Sequence, residues 1–260
     1  MGIVYFFVVL VSCMIGAVVG LGGGVIIRPV FDILAIHNML NIAFFSSAAI
    51  VTMSISSTLK KVKDGTKIEP RTAILISCGA ILGGTFGNLF LEFLLDFFET
   101  QTSVQLIQTI STIFFLLLAI YLTQKGNLRY NVKHMALYPI IGVFLGTLAV
   151  FLGIGGGPIN VPLFVILFNL SVKAATAYSI VVIFFSHSFR LITMGFTTGF
   201  AYFDVGYLVF ILPAAILGGI LGSMISKNLS DNMVKKAFLL TMLVLIGVNI
   251  YNGLMFGGII

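Results

Sequence analysis

The chain has 260 residues, of which 59% are hydrophobic and 8% charged, with 14 basic and 8 acidic side chains and a formal net charge of +6. A soluble domain carries about 25% charged residues, so this composition excludes a water-soluble enzyme and a nucleic-acid-binding domain. In a membrane protein the positive balance reports basic loops on one side of the bilayer, not an affinity for DNA.

A spanning helix needs about 20 mostly apolar residues. The apolar stretches are 3–36, 41–59, 72–95, 104–123, 136–170, 174–196, 204–226 and 234–256. The first has no basic region before it and no small-residue cleavage site after it, so it is expected to stay in the mature protein. The first and the fifth are far longer than one crossing, and each is interrupted by glycine and proline. The polar segments between stretches are short and leave no room for a soluble domain. Tryptophan is absent, so Tyr and Phe must supply interfacial anchoring. Cys13 and Cys78 both lie in apolar runs and define neither a disulfide framework nor a metal cluster.

The chain reads as an internal duplication. Gly20-Leu21-Gly22-Gly23-Gly24-Val25-Ile26-Ile27-Arg28-Pro29 matches Gly153-Ile154-Gly155-Gly156-Gly157-Pro158-Ile159-Asn160-Val161-Pro162 at an offset of 133. Ser46 pairs with Ser179 at the same offset, and Ala80 to Gly87 matches Ala215 to Gly222 at 135. Near-constant offsets predict two homologous halves, residues 1–124 and 125–260, forming one transport unit. Matching hydrophobic segments broken by Gly and Pro point to a secondary transporter and to its binding site. Unwound backbone is tolerated at membrane depth only where it is buried in protein or lines a cavity.

Charge separates two topologies. If all eight segments cross once, Lys60, Lys61, Lys63, Lys67, Arg71, Lys125, Arg129 and Lys133 share one side, while Lys173, Lys227, Lys235 and Lys236 fall on the other. If 3–36 and 136–170 are re-entrant hairpins with tips at the glycines, each half has a hairpin plus three crossings. The halves are then inverted, and all twelve loop cations share one side. The positive-inside rule selects the second arrangement. It predicts an all-α integral membrane protein with about eight helical segments, basic loops in the cytoplasm and both termini outside. The first arm of each hairpin is nevertheless long enough to cross fully.

The glycine run lacks the Lys-Ser/Thr of a phosphate loop and has no strand before it, so a nucleotide site is not expected. Consecutive glycines permit close packing or a tight reversal. They also free backbone N–H groups, and a helix restarting after them presents an anion-binding end. The candidate binding residues are therefore Gly22, Gly23, Gly24, Gly155, Gly156 and Gly157. Arg28 is either a structural partner of Asp32 or an attractor of substrate, since a charge at this depth costs about 2.5–3.5 kcal/mol. Arg190 either snorkels to the surface or lines the path. Arg28→Gln is expected to weaken anion affinity more than Arg190→Gln. His187 is a buried structural side chain or a proton-coupling group. Asn160 breaks an otherwise apolar arm. Ser46, Ser47 and Ser179 either bond back to helix carbonyls or donate to an oxyanion. No catalytic or metal-ligating constellation emerges.

The doubled motif Gly16-x3-Gly20-x-Gly22-Gly23-Gly24-x4-Pro29 and Gly153-x-Gly155-Gly156-Gly157-Pro158-x3-Pro162, with Ala174 to Ser179, resembles the TauE/SafE sulfite exporter family over essentially the whole chain. The resemblance implies a multi-pass transporter in a prokaryotic cytoplasmic membrane. It would move small sulfur anions such as sulfite or organosulfonates outward, without a cofactor. The expected partners are that anion and the bilayer, with a homodimer left open and no nucleic acid. The alternatives are a passive anion channel or a transporter of another small solute.

Overall fold

The computed structural model describes residues 1–34, 36–66, 68–98, 100–125, 130, 132, 134–153 and 157–258. Lys67, Arg129, Lys133, Ile154, Gly155 and Gly156, used in the charge and motif arguments, lie outside the described residues. Among the described residues there are ten α-helices: α1 (Gly2–Val19), α2 (Gly24–Leu34), α3 (Met39–Lys63), α4 (Pro70–Phe97), α5 (Gln101–Gln124), α6 (Leu137–Leu152), α7 (Gly157–Phe168), α8 (Val172–Thr197), α9 (Leu208–Asn228) and α10 (Asp231–Phe256). Short 3-10 turns occupy Phe200–Tyr202 and Val205–Tyr207. Among the described residues all regular structure is helical, as the apolar pattern predicts. The count exceeds eight because the two long stretches each become two helices.

The helix ends follow local chemistry. Asn38 and Ser171, which share the offset of 133, cap α3 and α8: Asn38 Oδ1 accepts from the Asn41 N–H at 2.9 Å, and Ser171 Oγ from the Ala174 N–H at 3.2 Å. Pro70 opens α4 at a position where its missing N–H costs nothing. α1 stops at Gly20, with φ +78°, and α6 stops at Gly153, with φ +66°. A left-handed residue ends a helix most readily when it has no Cβ.

Among the described residues seven helices are long and apolar enough to cross a membrane: α1, α3, α4, α5, α8, α9 with its preceding turn, and α10. α6 and α7 are shorter, at 16 and 12 residues. Large apolar side chains such as Phe86, Phe93, Phe114, Leu240 and Leu243 stand exposed on the outer helix faces. These are the surfaces that lipid covers in a multi-pass membrane protein.

Without a hydrophobic force between helices in lipid, close packing needs small residues. α6 lies along α4, and α1 along α9. Gly79, Gly83 and Gly87 of α4 rest on the backbone of Pro139, Val143 and Thr147 in turn, and Gly218 and Gly222 of α9 rest on Leu10 and Met14. A Cβ on Gly83 would land on the Val143 carbonyl. Gly83→Leu is therefore expected to cost at least the ~1–3 kcal/mol of an overpacked core, seen as a lower melting temperature and less monodisperse protein. Gly247→Ala, whose Cβ meets nothing within 4 Å, is the matched control and leaves both unchanged.

Long-range contacts gather the lysines. Asp64, just past α3, accepts from Lys60 at 3.2 Å and from Lys227 of α9 at 3.1 Å. Lys173 Nζ donates to the Lys227 carbonyl at 3.0 Å. Lys60, Lys173 and Lys227 therefore share one end of the molecule, whereas a chain in which every segment crosses once would separate Lys60 from the other two. Hydrogen bonds from Lys227 and Lys60 hold the Asp64 carboxyl below the usual carboxylate range. A carboxylate with a depressed folded pKa stabilises above its unfolded pKa, and that contribution is lost as pH falls through the folded value. Asp64→Asn is expected to lower the melting temperature slightly at neutral pH, because solvent screens the pairs. The difference from wild type should vanish below the usual carboxylate range; a difference that persists in acid would refute the ion-pair account.

Candidate functional site

The first broken segment turns back on itself. Gly20 and Leu21 both donate N–H to the Gly16 carbonyl, at 2.8 and 3.1 Å, and Gly22 continues the turn with φ +70°. Gly23 then sits against Cys13, so close that a Cβ would lie 2.7 Å from its sulfur. Further along, the rings of Tyr5 and Phe31 pack at 4.3 Å. α2 thus runs back beside α1. The second broken segment behaves likewise: Gly153 turns the chain, and Tyr138 near the start of α6 meets Phe168 at the end of α7, ring centroids 5.1 Å apart.

The two reversals touch. Gly157, the first residue of α7, lies on the Leu21 backbone, and Gly153 abuts the Arg28 guanidinium. Arg28 is buried and donates through Nη1 to the Leu152 carbonyl at 2.7 Å and through Nη2 to Gln108 Oε1. Gln108 Nε2 in turn donates to the Phe151 carbonyl at 2.5 Å. Arg28 therefore satisfies the carbonyl end of α6, where the helix dipole is negative. The expected Arg28–Asp32 pair is present but looser, at 3.8 Å. Sequence reasoning missed Gln108, whose only signal is an amide inside an apolar stretch. The crevice beside this cluster has about 10 Å³ of free volume, room for about one water.

The other predicted residues divide into partnered and unpartnered groups. Ser179 Oγ donates at 2.6 Å to the Gly20 carbonyl, an acceptor at the end of α1. Ser47 Oγ and His187 Nδ1 lie 3.2 Å apart, joining α3 to α8. Gly24 faces Ser46, and a Cβ there would come 2.9 Å from its hydroxyl. Among the described residues, Ser46 Oγ, both amide atoms of Asn160, His187 Nε2, and Nε and Nη1 of Arg190 are all buried without a protein partner. Arg190 is 3% exposed, so it does not snorkel. It lies in the last third of α8, on the buried stretch that also carries Ser186, His187 and Met194. Gly155 and Gly156 lie outside the described residues.

Leaving a buried polar atom unpaired costs about 1–3 kcal/mol, and more for a charged group. Arg offers donors only, and a hydroxyl donates as readily as it accepts. Charge-assisted bonds from such groups to an oxyanion are among the stronger hydrogen bonds. The buried donors of Arg190, Ser46 and Asn160, beside helices that restart after a break, suit an anion better than a cation.

A family model described as sulfite exporter TauE/SafE matches residues 5–250. The chain is 25% identical over 274 residues to a probable membrane transporter protein, YunE of Bacillus subtilis (strain 168), covering 94% of this chain and 96% of the relative. No solved structure matches the chain.

Proposed function

This chain belongs to the sulfite exporter TauE/SafE family, and from that premise we propose that it exports a small sulfur oxyanion, sulfite or an organosulfonate, by alternating access around the two glycine reversals. It is a membrane transporter and not an enzyme. The observation that carries the reading is the meeting of the two reversals, Gly157 on Leu21 and Arg28 on Leu152, among buried donors. The anion is held by Arg190, Ser46, Asn160 and the free N–H groups at the starts of α2 and α7. Gly22 to Gly24 and Gly157 bring that backbone close, and Gly155 and Gly156 join the proposed site on the sequence pattern alone. Ser47 and Ser179 hold His187 and the first reversal in place. Arg28 binds the two halves to each other.

The halves 1–124 and 125–260 are inverted repeats, each a re-entrant hairpin followed by three crossings. The paired packing of α1 with α9 and α6 with α4, and of α2 with α10 and α7 with α5, supports this arrangement. So does the gathering of lysines at one end. That end faces the cytoplasm of a prokaryotic cell, with both termini outside. An inside-negative potential then drives an anion outward with about 2.3 kcal/mol per charge per 100 mV, and His187 is the group placed to couple a proton.

Sulfite flux into proteoliposomes under a set membrane potential tests the proposal, with sulfate, thiosulfate and an organosulfonate as competitors. Saturable, voltage-sensitive flux with counterflow is expected. Large unitary currents would make the protein a channel. No flux of any of these anions in folded protein would detach the sulfur-anion reading.

A further inference from the structure

We propose a second oxyanion site at the lysine-rich end, in a cavity of about 180 Å³ lined by Lys61, Lys173, Lys227, Thr66, Ser223 and Ser226. Lys61 is its anchor. It is only 6% exposed, and its ammonium donates to one neutral group, Thr176 Oγ1, at 3.1 Å. Among the described residues no carboxylate lies within ion-pair distance of Lys61. Asp64 borders the same cavity but is engaged by both Lys60 and Lys227. Lys227 is one of those two cations, so Lys61 and Lys173 are the ammonium groups lining this space that have no carboxylate partner among the described residues.

The remaining lining is Gly65 with the hydroxyl residues Thr66, Ser223 and Ser226. Ser223 and Ser226 are buried, and Ser223 Oγ lies 2.8 Å from Ser57 Oγ. The Ser223 hydroxyl donates to the Gly219 carbonyl at 2.8 Å and that of Ser226 to the Val18 carbonyl at 3.5 Å, so the ammonium groups carry the recognition, and around a volume that admits a few waters they suit a compact pyramidal or tetrahedral oxyanion. Such an anion reaches the site as a free ion or as the phosphate of an anionic lipid headgroup.

The cavity adjoins the first reversal. Thr176 accepts from Lys61, donates to the Lys173 carbonyl at 2.8 Å, and packs directly on Gly20. One turn on, Ser179 holds the Gly20 carbonyl. An anion held by Lys61 waits one helical turn from the break. Its role as a loading position rests on the transport reading; its binding does not.

Calorimetry on the purified full-length protein in lipid-free neutral detergent tests the site, with sulfite and sulfate as probes. Lys61→Gln and Lys173→Gln are each expected to lower affinity at least tenfold with an unchanged melting temperature, and Lys61→Arg to retain binding. Lys173→Gln keeps the test decisive if Lys61→Gln fails to fold. A headgroup would appear instead as phosphatidylglycerol that copurifies with wild type and is lost from Lys61→Gln. Equal binding of sulfite, sulfate and phosphatidylglycerol in all variants, or none in any, overturns the site. Lysine-dependent binding without any flux would leave the site standing while removing the transport reading.

Discussion

Gly157→Leu is expected to abolish sulfite flux while the protein still inserts and purifies folded. A Cβ at position 157 falls on the Cα, carbonyl carbon and oxygen of Leu21. No flexible side chain can yield there, so the whole first reversal must shift. Overpacking of this kind costs about 1–3 kcal/mol, which moves an equilibrium between two conformations by roughly 5- to 150-fold. Alternating access depends on such an equilibrium, so transport suffers more than folding. Gly23→Ala makes a sharper companion, because its Cβ meets the Cys13 side chain 2.7 Å away and not backbone from another segment. Cys13→Ala should restore part of the flux lost in Gly23→Ala and none of that lost in Gly157→Leu. Normal flux from both glycine variants would remove the reversals from the transport path.

The second large effect separates the two buried arginines. Arg28→Gln is expected to destabilise the protein by about 3–5 kcal/mol, since it leaves Asp32 buried without its cation. It also strips the Leu152 carbonyl and Gln108 of their donor. Lysine should not rescue it, because a point ammonium lacks the planar fork that reaches both acceptors. Arg190→Gln is expected to leave stability unchanged or raised, since unpaired buried donors are removed, and to raise the KM for sulfite at least tenfold. Melting curves and flux titrations on the same preparations read the split. A stable Arg28→Gln with weakened sulfite affinity would return the anion to Arg28.

Sequence alone ranks Arg28 above Arg190 as the anion's partner; our proposal reverses that order because the Arg28 guanidinium is already bonded to Leu152 and Gln108, while Nε and Nη1 of Arg190 have no partner among the described residues. Within its own segment Arg28 shows only Asp32, four residues on. Its nearer partners come from positions 80 and 124 residues away, on α5 and at the end of α6. Arg190 looks free to reach the surface from a one-dimensional pattern, yet it is enclosed by packed helices. Lys61 reads as one of several loop cations, and only its approach to Thr176, 115 residues away, shows it to be buried.

What the chain determines by itself is set by local terms: the apolar content that demands lipid, the glycines at 20 and 153 that end α1 and α6, and the caps at Asn38 and Ser171. These depend on a few adjacent residues, whose backbone preferences are the same in any surroundings. The meeting of the two reversals, the partner of each buried arginine and the cavity around Lys61 were decided only in the tertiary structure. Each depends on which distant polar groups reach one another once water is excluded, and no local pattern encodes that.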